Sequence, residues 1–451
     1  MKLKHIPKLD PQFAPLSILF KEAKNGPSKK ITVALERNRG LISVFKADIP
    51  DADFETRYSL CERLVKTLLW LKGGFKIYFA GDKEVGNAIK ADYTAGGARD
   101  FDNKFMADIY RSEFEVIVCD EKDIPAENEA PSSVGRNLDG CRIGFDAGGS
   151  DRKVSAVIDG KAVYSEEVVW FPKLNSDPKY HYEGILEAFK TAASKMPRVD
   201  AIGVSSAGIY IDNQIMVASL FLKVPNEEYD KHVLNMYIDV AKEIGNVPIE
   251  VANDGDVTAL AGAMELNDTN ILGVAMGTSE AAGFIDSKGN ITGWLNELAF
   301  VPVDANKNSM IDEWSGDYGC GVKYFSQDSV IKLAPAAGIE LDENLSPAEK
   351  LKVVQKLMAE GDQRAKDIFE TIGIYFGYAL AYYSMFYDIK HVLIMGRVTS
   401  GEGGVLILEN AKKVLKDEFP DLFEKMQLHI PDENSRRVGQ SVAAASLPKI
   451  N

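Results

Sequence analysis

Cys141 to Val163 reads CRIGFDAGGSDRKVSAVIDGKAV, and the order of its parts decides the fold. An apolar run, Ile143 to Phe145, leads into Asp146, then Ala-Gly-Gly-Ser. A second apolar run, Val154 to Ile158, follows, and Asp159-Gly160 turns it into a third. A carboxylate at a strand end followed by Gly148, Gly149 and Ser150 suits a metal-bound phosphate, because glycines let backbone N–H groups close on an anion. A dinucleotide fingerprint or a P-loop would feed its glycines into a helix. Here Arg152 to Ile158 is β-rich instead, and Asp-Gly between apolar runs is a hairpin signal. The loop therefore joins two antiparallel strands. Taken alone, it also reads as a plain Gly-Gly turn.

The plan recurs. Ile271 to Ile291 reads ILGVAMGTSEAAGFIDSKGNI: apolar strand, Gly277-Thr278-Ser279, apolar strand, then the turn Asp286 to Asn290. Two such units about 128 residues apart predict a duplicated lobe, with two glycine-hydroxyl loops facing across a cleft and clamping a β- and a γ-phosphate. Between them, the strand Pro248 to Ala252 ends in Asn253-Asp254, ahead of a small-residue helix, Val257 to Leu266. Asp254 has two readings there, a general base or a helix N-cap. Lys153 reads either as a phosphate contact or as a solvated strand lysine. Glu280 puts a negative charge inside the second loop, which argues against phosphate chemistry unless the side chain turns away or reaches a metal. Glu297 lies in an otherwise apolar, strand-like run, Trp294 to Val303, where a carboxylate is costly unless paired or ligand-bound. The strand His391 to Met395 runs into Gly396 and a helix from about 403 to 417, a seat for an adenosine or an ordinary βα loop.

A chain of 451 residues, 45% hydrophobic and 26% charged, predicts two or three globular domains. The formal charge of −15 leaves no basic surplus for nucleic acid or an anionic membrane. Residues 1–139 hold 22 basic and 22 acidic side chains, so the remaining 30 against 45 carry the whole deficit. Cys61, Cys119, Cys141 and Cys320 have no paired spacing, which suggests reduced thiols and a cytoplasmic protein, and the N-terminus lacks a signal peptide's apolar core. Thr371 to Tyr387 carries no charge over 17 residues but holds five tyrosines, and it reads as a buried core helix rather than a membrane span. Residues 1–139 read as a separate α/β domain: a hairpin around Arg37–Gly40, a helix over 54–71, a strand over 75–80, helices near 82–92 and 100–111, and a strand over 114–120. The polar, Pro/Ser-rich segment 125–137 reads as a linker.

Together these segments resemble the ROK sugar kinases (repressor, open reading frame, kinase) of the actin–hexokinase superfamily, over about residues 140–451. Asp146 to Ser150 looks like the first phosphate loop, Asn253-Asp254 like the catalytic segment, and Gly277-Thr278 like the second phosphate loop. Ile394-Met-Gly396 resembles the adenosine strand, and Gly439 to Ala445 the closing C-terminal helix. The resemblance implies an α/β fold, two-lobed, actin/hexokinase-like (ribonuclease H-like), with an additional N-terminal α/β domain. It divides the chain into 1–139, 140–254 with the helix 436–451 packed back on it, and 255–435. It further implies ATP and Mg²⁺ as cofactors, with Asp146 holding magnesium through water and Asp254 as the base. Asn253 and Glu297 would bind a sugar or sugar derivative, and Gly148, Gly149, Ser150, Lys153, Gly277, Thr278, Ser279 and Gly396 would contact nucleotide or phosphate. A homodimer is the implied assembly, without nucleic acid or membrane partners. Two departures stand out: Phe300 takes the place of a sugar-binding, zinc-ligating His, and Val322 that of a sugar-binding Glu. Cys320 alone remains of the cysteine-rich zinc loop, so no zinc is expected. The expected activity is ATP-dependent phosphorylation of a sugar hydroxyl; the alternative is a non-catalytic ligand sensor on the same fold.

Overall fold

A computed structural model describes residues 2–129, 134–431 and 433–450, with the backbone alone over 433–438. The middle of the expected linker, 130–133, lies outside the described residues. Contacts group the chain into two compact units, one of residues 131–273, 283–293 and 431–451, the other of 1–130, 274–282 and 294–430. The grouping runs differently from boundaries at 139 and 254: residues 1–130 join 294–430, and 255–273 join the segment before them.

The unit around residues 131–273 is built on a five-stranded sheet ordered Ile249–Asn253, Ala201–Ser206, Cys141–Ala147, Asp151–Ile158, Lys161–Val169. Cys141–Ala147 pairs antiparallel with Asp151–Ile158 and parallel with Ala201–Ser206, so the Gly148–Ser150 loop closes a hairpin at a central strand. Every residue of Cys141–Ala147 and Ala201–Ser206 is buried, as strands covered on both faces must be. The side chains alternate. Ile143, Phe145 and Ala147 enter an apolar core with Phe189 and Tyr237, the Phe145 and Phe189 rings meeting edge-on at 5.4 Å. Arg142, Gly144 and Asp146 point the other way, toward the helix Glu433–Ala445 and the residues after it. There the Arg142 guanidinium donates to the Pro448 carbonyl at 2.6 Å. Gly144 and Gly203 let backbone pack on backbone: a Cβ at either would fall on the carbonyl of Ser441 or Ala444. The helix Asp254–Leu266 joins this unit for a similar reason. Its Gly255 carbonyl lies against Gly283, and the Phe284 N–H donates to Asp256 at 3.2 Å.

A second sheet is ordered Glu280–Ile285, Ile271–Met276, His391–Met395, Gln427–His429, the last two strands parallel. The charge-free run 371–387 falls mostly in the helix Gln363–Tyr383, capped by Asp362 and buried along almost its whole second half. Gly373 and Gly377 let it lie close against the helix Glu402–Glu418. Among the described residues, no helix is long and apolar enough to cross a membrane. The N-terminal residues add a sheet ordered Ile42–Pro50, Ser28–Glu36, Lys76–Ala80, Glu115–Val118, with the helix Phe54–Lys72 and, as expected, helices at Lys83–Asp92 and Asp100–Tyr110.

What binds residues 1–130 to 294–430 is a buried set of charges. Asp317 accepts from Arg63 through two nitrogens at 2.9 and 3.1 Å, and pairs with Lys66 and Arg99 at 2.9 Å each. Glu62 takes the Nε groups of Arg63 and Arg99 at 2.6 and 2.5 Å, and Asp102 accepts from the Trp70 indole at 2.5 Å. Three cations thus face three carboxylates in the interior. Beside them Trp70 packs on Phe300 with ring centres 4.2 Å apart. Removing one member of a buried ionic set leaves the others desolvated and unpaired. Asp317→Ala is therefore expected to cost about 3–5 kcal/mol, read as a fall in urea midpoint at unchanged slope. A loss below ~1 kcal/mol, the range of an exposed ion pair, would refute this account.

Candidate active site

The loop Gly148–Ser150 is half to fully exposed, and Asp146 at its root is only 9% exposed. Asp146 Oδ1 accepts from the Ser205 hydroxyl at 2.9 Å and from the Gln440 amide at 3.4 Å, and that amide also reaches Ser205 Oγ at 3.3 Å. Burial pushes the Asp146 carboxyl up to about 6; the Ser205 hydrogen bond opposes this, and the charge of Asp254 adds to it. Lys153 sits opposite Asp146 in the strand register and pairs with Asp151 at 3.3 Å. Ser150 donates to the same Asp151 carboxylate at 3.2 Å.

Asn253 and Asp254 stand together at the start of the helix Asp254–Leu266, and both side chains accept from the Gly255 N–H, at 2.8 and 3.0 Å. Asn253 is the N-cap: its side-chain oxygen accepts from the Gly255 N–H at 2.8 Å, and its amide donates to the Gly208 carbonyl at 2.8 Å. Asp254 follows as the first helical residue, part-exposed, its carboxyl raised by burial against the opposing pull of the Gly255 N–H and of Lys173. Sequence reading missed Lys173. It lies in the short turn Pro172–Leu174, and a Cβ on Gly149 would meet its Cε at 2.8 Å and its Nζ at 3.1 Å. The ammonium therefore lies over the glycine loop while its charge acts on Asp254. Ser205 and Gln440 were missed as well; neither carries a motif, and only the sheet register and the closing helix bring them to Asp146.

Gly277, Thr278, Ser279 and Gly396 belong to the other unit, as does Glu297. Thr278 and Ser279 are exposed, while the Gly277 N–H bonds the Ser279 carbonyl at 2.9 Å and the Gly277 carbonyl accepts from the Gln327 N–H at 2.9 Å. Gly396, at φ +98°, lies so close to the Met276 backbone that a side chain has no room. The strand-like run 294–303 is instead broken, forming a short turn at Leu298–Phe300. Asn296 adopts φ 53°, and the N–H groups of Asn296 and Glu297 bond the carbonyls of Leu71 and Trp70 at 3.0 and 3.1 Å. Glu297 is half-buried there. Glu280 does turn inward, 3% exposed, with its carboxyl raised well above the usual range by burial and then by Glu297.

Zinc does not fit the segment 315–322. Cys320 is its single thiol and it holds no histidine, whereas structural zinc takes four N or S ligands. The neighbour of that thiol at 3.9 Å, Asp317, is already committed to three cations. Among the described residues, no group of three or more His, Cys, Asp or Glu could hold a metal ion. Magnesium is a different case, needing one or two carboxylates with water and phosphate oxygens completing its shell. Asp146 fits it: a buried carboxylate kept above its usual range gains from a cation at its side.

The sheet order, the hairpin bearing the glycine loop and the helix returning from the C-terminus define an actin/hexokinase-like α/β protein. Residues 142–441 match the ROK family, and the chain belongs to it. A ROK hexokinase from Thermus thermophilus superposes with a TM-score of 0.53 at 17% identity, over 68% of this chain and 96% of its own. A ROK family transcriptional regulator, a homolog of the E. coli MLC protein, gives 0.54 at 17% identity over 69% and 79%. At that identity the likeness carries the fold alone. No curated protein matches the sequence.

The raised Asp146 carboxyl gives a signed expectation. The folded chain holds the proton more tightly than the unfolded one, so ionisation costs stability as pH rises from about 4 to 6, and the cost is constant above that. Asp146→Asn should stabilise the protein in magnesium-free buffer by ~3 kcal/mol at pH 7.5, falling to ~1 kcal/mol at pH 4.5. Denaturant titrations at the two pH values measure this, and a pH-independent difference would contradict it.

Proposed function

We propose that this chain transfers the γ-phosphoryl group of ATP to a hydroxyl of a sugar or sugar derivative. The observation that carries the reading is the grouping, within one unit, of the glycine loop, Asp146 and Asp254, with Lys173 between loop and carboxylate. Phosphoryl transfer asks mainly for positioning, charge neutralisation and a proton acceptor. Asp254 is that acceptor. Its raised carboxyl is a better base than an exposed aspartate and still ionised above its own pKa, and although its Oδ1 shares the Gly255 N–H with the N-cap Asn253, Oδ2 is left to take the substrate proton. Asn253 keeps one amide hydrogen beyond its two structural bonds and orients the substrate hydroxyl with it. Asp146 holds Mg²⁺, which when bound neutralises phosphate charge. Gly148, Gly149 and Ser150 supply backbone and hydroxyl donors to phosphate, while Lys153 and Lys173 add positive charge. In the other unit Gly277, Thr278, Ser279 and Gly396 are assigned to the nucleotide and Glu297 to the sugar.

A ligand-binding protein without turnover is the second reading. Phe300 favours it, because that side chain packs on Trp70 instead of offering a polar contact. An ADP-release assay with ATP and Mg²⁺ against hexoses, amino sugars and polyols separates the two. Turnover with at least one acceptor is expected, with Asp254→Asn lowering it about 10²–10⁴-fold while the fold stays intact. Lys173→Met should lose at least about tenfold. Absence of turnover with every acceptor, alongside thermal stabilisation by one, would establish the sensor.

A further inference from the structure

Glu280 opens the strand Glu280–Ile285 directly after the loop Gly277-Thr278-Ser279. Its side chain is 3% exposed, and neither carboxyl oxygen has a hydrogen-bond partner. The group lies over Gly321, where a Cβ would strike Glu280 Oε2 and come within 3.3 Å of Cδ and 2.5 Å of the Leu298 carbonyl oxygen. Leu298 follows Glu297, and the Glu297 carboxylate acts on Glu280 with a charge of the same sign. From the end of the helix Gln363–Tyr383, the Tyr383 hydroxyl, 0% exposed and also without a partner, feels the charge of Glu280. Both Glu280 oxygens and the Tyr383 hydroxyl of this unit are thus buried without hydrogen bonds, and the charge of Glu297 acts on Glu280.

Buried polar atoms without partners are rare because leaving them so is costly, and a site that keeps them is built for something that arrives. The inventory is rich in acceptors, and the negative charge of Glu297 holds the Glu280 carboxyl back from ionising. A sugar hydroxyl donates one hydrogen and brings no charge to relieve that. A primary ammonium donates three and supplies the opposite charge.

We propose that Glu280, together with Glu297 and the Tyr383 hydroxyl, binds a primary ammonium group, so that the acceptor is an amino sugar or amino polyol with a free amine. That this ligand is a phosphoryl acceptor rests on the kinase reading; that the site selects an amine does not. Gly321 is part of the device, since its missing side chain makes the space for the carboxyl.

Calorimetric titration of the full chain tests the site without turnover. The probes are matched triples at pH 7: glucosamine, galactosamine and mannosamine, each with its parent hexose and its N-acetyl form. At least one free amine is expected to bind about tenfold or more tightly than both counterparts. Glu280→Gln should reduce that preference to within about threefold, and Tyr383→Phe, which leaves both carboxyls in place, should weaken amine binding by a smaller factor. Should Glu280→Gln fail to fold, Tyr383→Phe decides the matter, and an unchanged amine affinity in that variant would overturn the proposal. So would equal affinity within every triple, no binding by any member, or a preference that survives Glu280→Gln. Amine-selective binding lost in Glu280→Gln, but with no ADP release from the bound amine, supports the site and overturns the kinase reading instead.

Discussion

Carbonyls of the helix Glu433–Ala445 rest directly on Gly144 and Gly203, where a Cβ would collide with them. Much of the site follows from that contact. It brings the Ser441 hydroxyl to Ser155 at 2.7 Å and the Gln440 amide to Asp146, so the carboxylate at the root of the glycine loop is steadied from a segment almost three hundred residues away. Strand alternation does the rest. The residues that leave the apolar core at 142, 144 and 146 are those that meet the helix, and the last of them ends beside the loop. A shift of one residue in the pairing of Cys141–Ala147 would turn Asp146 into the core with Phe189.

In the other unit the corresponding constraint is electrostatic. Asp317 is held by Arg63, Lys66 and Arg99, all from the N-terminal segment, in a loop the family resemblance associates with zinc. Here a single thiol and a committed carboxylate leave no four-ligand set. The residues before 131 are thus no appendage: they carry the counter-charges that keep the loop before Gly321 in place, and Trp70 fills the position against Phe300 with an aromatic face. The ionic set also faces no water, so added salt should screen it little.

Legibility in the sequence followed the range of the interactions. The hairpin at 141–163, the buried helix at 363–383 and the N-terminal elements from Ser28 to Val118 are set by local pattern and were readable; the helix Leu16–Asn25 was not. Asp146 and Asp254 were readable as candidates because each ends an apolar run. That Asn253 is the helix N-cap was not, because both side chains compete for the Gly255 N–H, and both reach it. Lys173 comes from an irregular turn without periodicity. Glu280 looked like a charge set among phosphates, since a residue list cannot show that Gly321, forty-one positions on, opens room for its side chain to turn inward. The run 294–303 looked extended because it is apolar, yet a left-handed Asn296 breaks it.

Neither unit is a continuous stretch of chain. The one that holds Asp146 and Asp254 takes its last covering helix from residues after 431, and the other joins residues before 131 to partners beyond 294. During synthesis, Arg63, Lys66 and Arg99 leave the ribosome more than two hundred residues ahead of Asp317. At about 5–20 residues per second, that is ten seconds or more in which Glu62 and Asp102 are their only partners from this ionic set. The set is complete only once Asp317 has emerged. Truncation from the C-terminal end would be expected to remove not a tail but the covering of the loop's own sheet.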